Sequence, residues 1–119
     1  MTVWMSVLRP MAEAARAIVR RRRGQRDTSG SADQLRRLLS VLDRAAELEP
    51  VADRAVRECG APGEVPGEVG RTCGELVTAY QRLRDELRRI DFAAEHRWLG
   101  EEVARLLRYH QWLVRTALQ

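Results

Sequence analysis

Leu35, Leu38, Leu42, Ala45, Ala52, Val56 and Cys59 are spaced by threes, fours and one seven, with Glu49 at the skipped seam position. A stripe of this kind has the heptad period of helices that pack against one another. It opens on Ser31-Ala32-Asp33-Gln34, a capping box in which Gln34 would reach back to the first turn. Pro50 falls inside the stripe, where the ring clashes with the carbonyl four residues back. The phase of the stripe survives it. Two nearly collinear helices, or one kinked helix, are therefore expected over 31–59.

Residues 61–70 then read Ala-Pro-Gly-Glu-Val-Pro-Gly-Glu-Val-Gly, a tandem Pro-Gly-Glu-Val. Pro and Gly at that density predict an exposed loop. Thr72-Cys73-Gly74-Glu75 supplies a second capping box, followed by Leu76, Tyr80, Leu83, Leu87, Ile90 and Ala94 at helical spacing. The spacing predicts a helix over 72–98, ended by Gly100, and a last helix carrying Val103, Leu106, His110, Leu113 and Ala117. Opposite charges four apart should line the solvated faces: Asp33 with Arg37, Asp53 with Arg57, Arg82 with Glu86, Asp85 with Arg89, Glu101 with Arg105. No period-two alternation occurs. The expected architecture is all-α: a small helical bundle on a long antiparallel hairpin, plus a C-terminal helix and a basic helical arm at the N-terminus. Narrow seams of this kind also suit coiled-coil pairing into a homodimer.

Equal spacing of the two stripes fixes an expected register. It places Cys59 by Cys73, Val56 by Leu76, Ala52 by Tyr80, Ala45 by Leu87 and Leu42 by Ile90. Cys59 and Cys73 thus meet beneath the loop, as two buried thiols or as a disulfide closing about 15 residues. Two cysteines fit a reducing, cytoplasmic setting. They do not form a zinc motif, because His96 and His110 lie far along the chain and no Cys-x-x-Cys is present. No metal or cofactor is expected.

The charge has a definite address. All 21 basic residues are Arg, there is no Lys or Asn, and Ile and Phe are scarce, the mark of a GC-rich bacterial coding sequence. Residues 1–30 carry a net +5, while 31–60 carry −1 and the remainder is neutral. Two segments follow: a basic amphipathic arm and linker over 1–30, and a helical domain over 31–119. In the arm, Trp4, Val7, Leu8, Met11, Ala15 and Ile18 share a helical face, and Arg20, Arg21, Arg22, Arg23 and Arg26 follow. An apolar face beside a basic tract suits an anionic membrane surface, nucleic acid or a protein partner. Any such affinity is expected in residues 1–26, because the neutral body offers no sustained positive field. The arm is too interrupted to cross a membrane, and its charge follows its apolar stretch, unlike a secretory signal.

Arg105 and His110, with four residues between them and Trp112 two beyond, resemble the Arg-x4-His motif of the HEPN ribonuclease superfamily, whose members are small all-α bundles. The resemblance implies an Arg–His pair acting on RNA. On a continuous helix, however, a five-residue offset turns the two side chains about 140° apart. His110 then joins the seam of Leu106 and Leu113, and Arg105 faces solvent within reach of Glu101. The residues themselves are read as a non-catalytic interaction protein: a self-associating regulatory, adaptor or assembly module. A HEPN-like ribonuclease or its inactive relative, and a membrane or nucleic-acid binder acting through the arm, are the alternatives.

Overall fold

A computed structural model describes residues 31–118, together with Glu13 and Ala17. The apolar and basic residues singled out in the arm, Trp4 to Ile18 and Arg20 to Arg26, lie outside the described residues, as does the side chain of Ser31. Three helices account for most of the described chain: α1 (Ser31–Cys59), α2 (Gly67–Arg88) and α3 (Arg97–Ala117), with a short 3-10 turn at Ala94–His96 before α3. No strand is present among the described residues. The fold is the expected all-α bundle, running up, down and up.

In α1 the stripe becomes one side of the core. Leu35, Leu38, Leu42, Ala45 and Ala52 are wholly buried, with Val41 and Ala55 beside them. Each Leu or Val side chain removed from water contributes about 1.5–3 kcal/mol. Pro50 lies inside a helix that is assigned without interruption from Ser31 to Cys59. It is exposed, so the carbonyl that loses its intrahelical donor is on the side where water can replace it.

Three contacts at different heights fix how α1 meets α2. The Cys59 and Cys73 sulfurs are 3.8 Å apart at one end. Midway, the Arg44 guanidinium grips both carboxylate oxygens of Glu86, with Nη1 to Oε1 at 2.8 Å. At the far end, the Ala93 N–H donates to Gln34 Oε1 at 3.1 Å. Gln34 is therefore tied to the segment that follows α2, at the open end of the hairpin. The helices are antiparallel, and the cysteines meet as the spacing predicts.

The boundaries of α2 differ from expectation. It begins at Gly67, so the second Pro-Gly-Glu-Val copy is helical where the first is loop. Pro66 explains the split: its φ of −57° suits the position before a helix, and its carbonyl accepts from Val69 and Gly70. Val69 is consequently buried and Val65 exposed, although they are equivalent letters of one repeat. Thr72, five residues into α2, is no cap; its hydroxyl donates to the Glu68 carbonyl at 3.0 Å.

The helix also stops earlier than the stripe suggests. After Arg88 the chain turns, Ile90 enters the core, and the Phe92 ring folds over Gly100. Gly100 sits buried in the first turn of α3, and a Cβ there would lie 2.5 Å from a Phe92 ring carbon. It marks a close approach within the helix, not a helix end. Among the expected charge pairs, Asp53 with Arg57 forms. Elsewhere the partners shift: Asp33 takes Arg36, Asp85 lies near Arg88, Glu86 takes Arg44 across the hairpin, and Arg105 takes Glu102. Spacings of three and four are both neighbours on a helix, so the short carboxylates choose freely between them.

Candidate functional site

α3 presents the chemistry that the rest of the bundle lacks, and it does so on two opposite faces. Its inner face buries Leu99, Val103, Leu106, Leu107 and Val114, and with them His110 and Gln111. His110 is fully buried; its Nδ1–H donates to the Leu106 carbonyl at 2.6 Å. Its ring lies 5.9 Å from that of Tyr80, which is also fully buried. Burial depresses the His110 pKa, with the Leu106 hydrogen bond pulling the other way. Tyr80 moves upward, through burial first and then through the charge of nearby Glu49. Gln111 donates to the Val77 carbonyl at 3.0 Å and to Gln81 at 3.1 Å, and accepts from Arg84 at 2.6 Å.

Arg105 is turned away from all of this. It is exposed on the outer face and paired with Glu102, while His110 is sealed in the core. The structure does not bring the Arg-x4-His pair into one cleft, as the 140° offset along a helix requires. The Cys59 and Cys73 thiols are free, and burial, then contact with Cys59, pushes Cys73 up to about 11. Among the described residues no cluster of three His, Cys, Asp or Glu is placed to hold a metal. None of the helices among them is long and apolar enough to cross a membrane.

The outer face of α3 carries aromatic residues that the seam reading passed over. Trp98 is 59% exposed, Trp112 is 55% exposed, and Tyr109 stacks on Trp112 with ring centroids 6.0 Å apart. Their signal was available in the sequence. Positions 98, 105, 109 and 112 form a second stripe, out of phase with the buried one.

Between α2 and α3, beside the Phe92 turn, lies a groove of about 400 Å³. Arg84, Arg88, Arg97 and Arg108 line it, with Glu101, over a floor that includes Leu87, Ile90 and Phe92. Desolvation first, then Arg88 and Arg108, pull the Arg84 guanidinium below its ordinary range. The body is neutral by count, and folding gathers Arg84, Arg88, Arg97 and Arg108, with Glu101, on one side of the α2–α3 junction. No protein-family model, curated protein or solved structure matches the chain, so its function is read from this geometry alone.

Proposed function

We propose that the protein acts by interaction, as a small regulatory, adaptor or assembly module that pairs with a second copy of itself through the outer face of α3. One observation carries the reading: both tryptophans of the described residues stand on that face, backed by Tyr109. Trp, Tyr and Arg are the residues that dominate binding energy at protein interfaces. The choice of a second copy rests on charge. A two-fold interface must be complementary to itself. Antiparallel pairing that sets Trp98 against Trp112 of the other copy also sets Glu101 against Arg108. Neither Glu101 nor Arg108 has an ion-pair partner among the described residues. Arg105 with Glu102 lies near the centre as a pair already neutralised. The same reading puts the protein in the cytoplasm, where its two thiols stay reduced.

Sedimentation equilibrium over a range of concentrations tests the pairing. The parent protein should be a dimer that dissociates on dilution. A Trp98→Ser/Trp112→Ser variant should be monomeric at every concentration, with helicity and unfolding temperature close to those of dilute parent. A parent that stays monomeric when concentrated, or a double variant that still dimerises, contradicts the reading.

A further inference from the structure

The arginine groove lies on the flank of α3 next to α2, beside the aromatic face, and its chemistry is different. Arg84 and Arg88 are one turn apart on α2, and Arg97 and Arg108 three turns apart on α3. Arg84 is held in place from within the fold by Gln111 at 2.6 Å, while the exposed Arg88 lies near Asp85 at 3.6 Å. Arg97 has no ion-pair partner among the described residues. Arg84 feels the positive charge of Arg88 and Arg108, and a multivalent anion in the groove relieves that repulsion. The planar fork of Arg matches phosphate oxygens two at a time.

The floor adds a second requirement. Phe92 is half-buried: its ring covers Gly100 and also lines the groove, next to Leu87 and Ile90. A ligand that satisfies both parts carries phosphate at one end and a flat, weakly polar ring at the other. About 400 Å³ falls within the range of small-molecule sites. We infer that the groove between α2 and α3 binds a nucleotide, its phosphates held by Arg88 and Arg97 and its base lying on Phe92. The nucleotide is either free or the 5′-phosphorylated end of a strand, and the two share this chemistry.

Isothermal titration of the full-length chain tests the site, in a background with Arg20 to Arg23 and Arg26 replaced by Gln so that the basic tract contributes nothing. The probes are ATP, tripolyphosphate, adenosine and a 5′-phosphorylated RNA octamer. ATP should bind one per chain, more tightly than tripolyphosphate, while adenosine alone gives no measurable heat. Arg97→Ala and Arg88→Ala should each weaken ATP binding about tenfold or more. Arg105→Ala, on the outer face, should leave it unchanged. Competition between ATP and the octamer separates the sources: displacement at equal or lower concentration assigns the strand end, and its failure assigns the free nucleotide. Absence of ATP binding, tripolyphosphate binding as tightly as ATP, or indifference to Arg97→Ala overturns the inference. Dimerisation is read separately by sedimentation, so either result can fail without the other.

Discussion

α1 and α3 follow the same spacing rule and fill it with different residues. The buried set of α1 is aliphatic throughout, from Leu35 to Ala55. α3 buries His110 and Gln111 among its aliphatics and leaves Trp98 and Trp112 in solvent. Transfer from water alone would order these residues the other way, with Trp inside and Gln outside. Position on the core-facing side of the helix therefore decides burial in this bundle, and the polar residues that fall there are accommodated by hydrogen bonds: His110 to Leu106, Gln111 to Val77 and Gln81. The outer stripe of α3 is aromatic although the core of the described residues makes no use of it. In α1, stability accounts for the stripe; in α3, the proposed function divides the two stripes between stability and binding.

The largest expected effect puts that division under direct strain. Leu42→Ala removes a fully buried side chain from α1 and should cost about 3 kcal/mol by denaturant unfolding. Trp112→Ser, measured in dilute protein, should stay within about 0.5 kcal/mol of the parent. A loss from Trp112→Ser as large as that from Leu42→Ala would mean that the outer face is packed within the chain.

A disulfide sharpens the contrast from the other end of the molecule. Treatment with the thiol oxidant diamide should join Cys59 to Cys73 within one chain, because their sulfurs already touch at 3.8 Å. Closing about 15 residues should add about 3 kcal/mol to stability and leave α3 self-association unchanged. With Cys73 at about 11, the reaction should quicken as pH rises. Mass spectrometry and non-reducing gels check it; crosslinked dimers in place of an internal bridge would deny the adjacency.

The inner face of α3 should respond to acid through His110. His110 has a folded-state pKa below its ordinary 6.5, so protonation favours the unfolded chain. Stability is then full above about pH 6.5 and falls on acidification by up to about 1.4 kcal/mol per pH unit, until the lower folded-state pKa is passed. Glu86, held low by the hydrogen bond from Arg44, loses its contribution in a more acid window, below its usual carboxylate range. His110→Met should flatten the first window alone. Unchanged pH dependence in that variant would assign the slope elsewhere.

The smallest effect concerns a single oxygen. The Tyr80 hydroxyl is buried with no hydrogen-bond partner among the described residues. Tyr80→Phe removes its desolvation penalty and should be neutral or stabilising by about 1 kcal/mol. Destabilisation beyond that, read from the unfolding midpoint, would reveal a partner for the hydroxyl.

The helices and their hairpin were legible because buried positions repeat every three or four residues whatever occupies them. Cys59 and Cys73 could be placed side by side from counting alone. Boundaries were harder to read, since they depend on single contacts that distant residues make. Pro66 starts α2 early, and Phe92 lies over Gly100 where a helix was expected to run on. The arginine groove escaped for a related reason. Net charge per segment counts acids and bases that point in different directions, whereas Arg84, Arg88, Arg97 and Arg108 converge only after α2 and α3 pack. The aromatic stripe was in plain sequence view, but it lay outside the seam that drew attention.

The claim that α3 binds a second copy in antiparallel fashion is tested most directly by exchanging charge across the proposed contact. Glu101→Arg and Arg108→Glu variants are prepared separately, and sedimentation equilibrium is run on each and on an equimolar mixture. Each variant alone opposes like charges at both symmetry-related contacts and should be largely monomeric. Mixing restores Arg opposite Glu at both contacts, so the mixture should recover the mass of a dimer. Dimers of undiminished strength in both single variants, or a mixture no more associated than its components, would contradict this account of α3.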